Sequence, residues 1–168
     1  MKNLSNSVLV AFLLIGLFAS FQIKVANASG TIYILSDGTI SPPSSPILTS
    51  DGVTYTLTAD INDSIVVERS NIIIDGAGHT VEGSGTDNGF KLVSISNVTI
   101  RNTHIKNFTY GVYIESASSI TLIQNNITAN SYDGIGLFFS NRTIITGNNI
   151  ASNGYDGIEI YELSLIHI

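Results

Sequence analysis

Two apolar registers locked at one interval predict an all-β chain wound as a parallel β-helix. In the first, Gly89, Gly111, Gly134 and Gly157 recur at near-equal steps, each followed by an apolar–any–apolar triplet. In the second, Ile74, Ile100, Leu122, Ile145 and Ile168 recur at nearly the same steps, with a longer first one. A fixed period of this length marks a repeat architecture. The local pattern then says which one. Val112/Ile114 and Ile158/Ile160 alternate in strand fashion, because successive side chains of a strand point to opposite faces. After position 30 no window carries apolar residues at helical spacing, and Val, Ile and Thr suit a pleated surface. One coil then reads as a strand at 97–101, a bend, an apolar anchor at Ile105, a polar loop, and a second strand from Gly111. Such coils stack with each strand beside its copy about 4.8 Å away. The chain has room for about four to five of them.

Segment 1–28 reads as a secretory signal. Lys2 precedes the apolar run Val8–Phe21, and Ala26-Asn27-Ala28 offers a small–any–small cleavage site. The run is short of the about 18 residues that span a bilayer, so a cleaved signal helix is expected and no integral membrane segment after it. Loss of Lys2 and Lys24 takes the net charge from −6 to −8. That balance speaks against nucleic acid, whose phosphates need clustered Lys and Arg, and against strongly acidic polymers. The chain has no cysteine, so stability has to come from the stacked core rather than from disulfides.

Segment 29–64 does not follow the repeat. Thr31–Leu35 reads as a strand, Asp37-Gly38 as a turn and Pro42–Pro46 as an irregular loop. Open strand edges invite pairing, so this segment is expected to cap the first coil. The repeats are expected over 65–168. Leu163–Ile168 is apolar and in phase with a further coil, which reads as a helix continuing into further coils of a longer parent chain.

Asn125, Asn126 and Asn130 return one period later as Asn148, Asn149 and Asn153. Asn tolerates left-handed backbone at bends, and stacked amides can form hydrogen-bonded ladders. These residues are therefore expected to be structural.

Asn71–Val81, Asn97–Ile100 and the Gly-x-x-apolar repeats together resemble the secreted right-handed parallel β-helix proteins of the NosD-like type. Tyr55–Thr58 and Ser64–Arg69 resemble the entry coil of archaeal and bacterial surface members. The likeness spans about 31–161. It implies a right-handed coil, a secreted, extracellular or cell-surface location (periplasmic in a Gram-negative host), and kinship with carbohydrate-binding proteins and sugar hydrolases. The matched positions are scaffold positions.

Chemistry-bearing residues gather in two repeats of Tyr-Asp-Gly. Asp133 and Asp156 stand at equivalent positions, with Glu159 on the following strand. Paired carboxylates about 5–9.5 Å apart serve glycoside hydrolysis, so Asp133, Asp156 and Glu159 are the catalytic candidates; Asp-Gly is equally common turn chemistry. Tyr110, Tyr132 and Tyr155 are read as one repeat position. With Asp133 and Asp156 they form a candidate platform for a polysaccharide or cell-surface glycan running parallel to the helix axis. Ca²⁺ is the one cation these oxygens would suit. No site for a soft metal is expected, since copper seeks Cys, Met or His, His79, His104 and His167 are scattered, and Met1 leaves with the signal. Arg101, Lys106 and Arg142 do not share a phase with Asp133 and Asp156. The expectation is a structural, carbohydrate-interacting module without cofactor. The alternative is a polysaccharide hydrolase or lyase whose active coils lie partly beyond position 168.

Overall fold

The computed structural model describes residues 30–162 together with the backbone of 166 and 167. The signal segment 1–28, and Ile168 of the second register, lie outside the described residues.

Strands β1 (Ile32–Ile34), β2 (Ile40–Ser41), β3 (Ile47–Leu48) and β4 (Thr54–Leu57) come from the non-repeating segment. Three strands per coil follow: β5 (Ile65–Val67), β6 (Ile72–Asp75) and β7 (Thr80–Glu82); then β8 (Asn88–Val93), β9 (Ser96–Arg101) and β10 (His104–Lys106). The next coils are β11 (Tyr110–Glu115), β12 (Ser118–Ile123) and β13 (Asn126–Thr128), then β14 (Ile135–Phe138), β15 (Thr143–Thr146) and β16 (Asn149–Ala151). β17 (Ile158–Tyr161) and β18 (Ile166–His167) begin another.

Like strands stack into three parallel sheets. The first runs β17-β14-β11-β8-β5-β1-β2, the second β18-β15-β12-β9-β6-β4-β3, and the third β16-β13-β10-β7. This is a parallel β-helix of about five turns. Among the described residues there is no helix long and apolar enough to cross a membrane.

Both sequence registers are stacking registers. Phe90, Val112, Ile135 and Ile158 pair in one file of the first sheet, and Ile74, Ile100, Leu122 and Ile145 in one file of the second. The anchor Ile105 pairs with Val81 below and Ile127 above, which makes the third sheet. Phe90, Val112, Ile114, Ile135 and Leu137 are wholly buried. Ile160 continues the file of Ile114 and Leu137 but is 44% exposed, since it stands in the last described layer of its sheet. The column is one continuous core, so every coil relies on its neighbours for burial.

The segment 29–64 does more than cover an edge. β1 pairs in parallel with β5, and β4 with β6, so it supplies a layer to two sheets. β2 and β3 then fold back antiparallel on that layer.

The asparagine ladders are present, with one change to their expected geometry. Asn125 Nδ2 donates to Asn148 Oδ1 at 3.0 Å, and Asn130 Nδ2 to Asn153 Oδ1 at 2.9 Å. On the outside Asn149 donates to Asn126 Oδ1 at 2.7 Å. The left-handed residues are not these but others, among them Gln124, Ala129 and Ser152, one position upstream of Asn125, Asn130 and Asn153. The bend is made by one residue and pinned by the next, whose amide reaches the backbone of the adjacent coil.

Candidate functional site

The turn from the third sheet into the first carries the candidate residues, and its register differs by one from that read in the sequence. Gly111 N–H donates to Asp133 O, and Gly134 N–H to Asp156 O. Tyr132 N–H donates to Thr109 O, and Tyr155 N–H to Tyr132 O. Tyr110 therefore stacks in the file of Asp133 and Asp156, not in the file of Tyr132 and Tyr155. Thr109 holds the latter place. The pattern Tyr-Gly in one coil against Tyr-Asp-Gly in the next two concealed this: matching the tyrosines ignores that the turn before Gly111 is one residue shorter, whereas matching Gly111 to Gly134 sets Tyr110 against Asp133.

The rings meet all the same. Tyr132 and Tyr155 lie 4.5 Å apart between centroids, tilted by 39°, and Tyr110 and Tyr132 5.3 Å apart, tilted by 57°. Tyr110 continues edge-on to Tyr113 at 5.5 Å, and Tyr113 lies 5.1 Å from Phe138, tilted by 31°. The aromatic band thus runs from the turn out across the first sheet, as well as along the helix axis. Gly136 makes the crossing sterically open: a Cβ there would stand 2.9 Å from the Tyr110 ring and 2.7 Å from Phe138. Gly136, Tyr113 and Phe138 were not among the sequence candidates. The signal that could have found them is the extra glycine interrupting the alternation in Gly134-Ile135-Gly136-Leu137.

The three candidate acids have unlike settings. Asp156 is exposed. Asp133 is 1% exposed; its Oδ1 accepts the Asp156 N–H at 2.6 Å and its Oδ2, also buried, has no donor among the fold's N–H and O–H groups. The turn folds Asp133 under the Tyr-Asp-Gly of the next coil, which removes it from water. Glu159 leaves the outer face of β17 opposite Gly136 and accepts the Tyr110 hydroxyl at 3.2 Å. Burial, then the neighbouring Asp133 carboxylate, raise the Glu159 carboxyl above its ordinary 4.5. Burial and the Glu159 charge likewise raise the Tyr110 hydroxyl. Glu159 is the principal cause of the rise at Tyr132. All five sequence candidates for carbohydrate contact, and Glu159, therefore belong to one electrostatic cluster.

Several other charged groups among the described residues pair away from this turn. Arg101 pairs with Asp75 at 2.9 Å and Lys106 with Glu82 at 3.1 Å, each across one coil. His79 Nδ1 lies 3.3 Å from Asp60, and His104 Nδ1 3.2 Å from the Asn126 amide. Among the described residues no group of three His, Cys, Asp or Glu side chains is arranged so that it could hold a metal ion. Asp133 and Asp156 therefore bring no third acid with them in a geometry suited to Ca²⁺, which takes six to eight oxygens.

A family model described as periplasmic copper-binding protein (NosD) matches residues 26–167. No curated protein and no solved structure shows a match. The copper of that description can be tested against the residues. With no cysteine in the chain, Met1 as the one methionine, and the described imidazoles hydrogen-bonded singly to Asp60 and Asn126, the donor set described here does not fit a copper centre.

Proposed function

The chain belongs to the NosD family, and from that premise we propose that it acts outside the cytoplasm as a β-helix module that binds a carbohydrate polymer. The observation that carries this is the aromatic band Tyr155–Tyr132–Tyr110–Tyr113–Phe138, with carboxylates at its edge. Aromatic rings cover the apolar faces of sugar rings, and carboxylates accept hydrogen bonds from their hydroxyls. Tyr155 is 73% exposed and Tyr132 37%, so part of the band is open to a ligand without rearrangement. The apolar column beneath holds the strands that present it, which gives a shallow, rigid surface suited to a polymer.

The test is glycan-array binding by the wild type and by a Tyr132→Ala/Tyr155→Ala double variant. Loss of the wild-type signal in the variant is expected. Equal binding by both would remove this face from consideration.

A second reading, cleavage of the bound polymer, draws on one observation: Glu159 has a raised carboxyl next to a buried acid. A protonated acid beside an ionised one is what glycoside hydrolysis requires. Reducing-sugar release by the wild type that disappears in Glu159→Gln would favour it. Absence of release from every bound glycan would leave binding alone.

A further inference from the structure

We propose that Asn62 is an N-glycosylation acceptor, modified by an oligosaccharide transferred from a lipid pyrophosphate carrier. The inference draws on the location outside the cytoplasm given above, and not on the ligand of the aromatic band.

Five Asn-any-Ser/Thr triplets start at described residues: Asn62, Asn97, Asn107, Asn126 and Asn141. The triplet is the acceptor pattern for N-linked glycans on surface loops. Asn and Thr also belong to the repeat, so the pattern by itself selects none of the five. The fold does select. A transferase has to take the amide nitrogen, and the hydroxyl two residues on, into its own cleft. Both groups have to be open to solvent and free of the sheets.

Four triplets fail this requirement. Asn97 and Asn126 lie inside β9 and β13, and each of these strands is paired on both sides. Asn97 Nδ2 donates to Asn71 Oδ1 at 3.0 Å, and the Asn126 amide is held between His104 and Asn149. Asn107 Nδ2 donates to Glu82 Oε1 at 2.7 Å. Asn141 fails at the far end of its triplet, because Thr143 is wholly buried.

Asn62 meets it. The residue is exposed and lies in no strand, between the bridging Ile61 and the start of β5. Its side chain makes no hydrogen bond with the other described residues. The residues around it are anchored. Thr80 N–H donates to Asp60 Oδ1 at 2.9 Å, Ile61 N–H to Thr80 O and Glu82 N–H to Ile61 O at 2.8 Å, and Gly30 N–H to Asp63 Oδ1 at 2.8 Å. The chain is thus fixed on both sides while the Asn62 amide stays unused. A second observation is the space beside it. Asn62, Asp63 and Ser64 all line one open cavity of about 480 Å³. Ser84, Thr86 and Asp87 line it too, so the sugar nearest the protein meets groups that exchange hydrogen bonds with its hydroxyls. Asp60 adds a carboxylate two residues before Asn62, a place filled by Ile95, Ile105, Gln124 and Phe139 in the other four. An acid there gives a cationic transferase cleft a further contact.

The transfer balances without a redox partner. Asn62 Nδ2 attacks the anomeric carbon of the carried sugar, and the new N–C bond replaces the C–O bond to phosphate. The bonding pair leaves with the lipid pyrophosphate, and the amide gives up one proton to solvent.

The experiment is transfer in vitro to the purified, folded protein. A membrane-bound oligosaccharyltransferase is supplied with lipid-pyrophosphate-linked oligosaccharide, and a reference acceptor peptide shows that the reaction is live. Intact mass and peptide mapping are expected to find a single glycan, on Asn62. Asn62→Gln and Ser64→Ala are expected to abolish it and Ser64→Thr to retain it, while thermal melting shows all three folded. A glycan on any of the other four asparagines of the folded protein would overturn the selection by the fold. An unmodified protein in a reaction that modifies the reference peptide would overturn the site itself, as would transfer that survives in Ser64→Ala.

Discussion

At the corner between the second and third sheets, Asn125 is 2% exposed and has its amide fully employed. Its Oδ1 accepts the Thr103 N–H at 3.2 Å, and its Nδ2 donates to Ile100 O at 2.9 Å and to Asn148 Oδ1 at 3.0 Å. At the turn into the first sheet, Asp133 is as deeply buried and recurs with the same period, yet one of its oxygens has no donor among the fold's N–H and O–H groups. Nearby acids differ in the same way. Asp75, near the first corner, accepts from Ala77 N–H, Arg101 Nε and Asn102 Nδ2. Glu159, near the second, meets one donor and a second acid. Periodicity is common to both places. What separates scaffold from candidate site is whether the polar groups are satisfied by the fold itself.

That contrast can be broken or sharpened by substitution. The largest effect is expected beneath both corners. Ile135→Asp puts an unpaired charge in the wholly buried column between Val112 and Ile158. A penalty of several kcal/mol against a total stability of about 5–15 kcal/mol should abolish folding. Normal expression and unchanged thermal melting would contradict the column.

Asn125→Ala should come next, at about 2–3 kcal/mol, because it strands the Thr103 N–H and takes a side-chain donor from Ile100 O. Chemical denaturation measures it. A change below a few tenths of a kcal/mol would mean that the ladder holds nothing. Asp133→Asn should go the other way. It keeps an acceptor for the Asp156 N–H and removes a buried charge, raising stability by about 1 kcal/mol. A lowered melting temperature would show that the carboxylate is needed by the fold, and the comparison would collapse.

The smallest effect is in pH dependence, and its sign differs between the corners. Burial works against Asp75, but the Ala77 N–H and the Asn102 and Arg101 side chains hold its carboxyl below the ordinary 3.8. The stability it contributes is present above 3.8 and is lost as pH falls through the folded value. Glu159 is raised above 4.5, so its contribution is present below 4.5 and is lost as pH rises through the folded value. Asp75→Asn should flatten the acid limb of a melting-temperature profile, and Glu159→Gln the limb above 4.5. The same limb altered by both variants would deny the two corners opposite characters.

Much of the fold was legible because burial repeats where spacing repeats. Gly-x-x-apolar and the Ile74–Ile145 file were visible as text, since each coil must place apolar side chains on the same interior spots. The site was less legible. Tyr110 was read one position out, because turns here differ by a residue while rings long enough to touch conceal the shift. The burial of Asp133 is not legible, because Asp-Gly reports a turn and not what lies over it. Gly136 went unremarked because its use is to leave room for a side chain distant in the sequence, that of Tyr110. The left-handed positions are legible in part, since Asn71, Asn97, Asn102 and Asn107 are among them, whereas Gln124 and Ala129 carry no such side-chain signal.

The hydrogen bond from Tyr110 to Glu159 joins positions 49 apart and passes over the intervening strand β14 at Gly136. Ser131 Oγ to Gly85 O, 46 apart, makes a second bond of similar reach. In a solenoid whose energy is a sum of nearest-neighbour terms, layers peel one at a time. Bonds that skip a layer add a next-nearest-neighbour term, so strands on either side of β14 resist separation together. Pulled along its axis, the molecule should yield over this stretch in steps of two coils, with single-coil steps returning when Tyr110 is replaced by Phe.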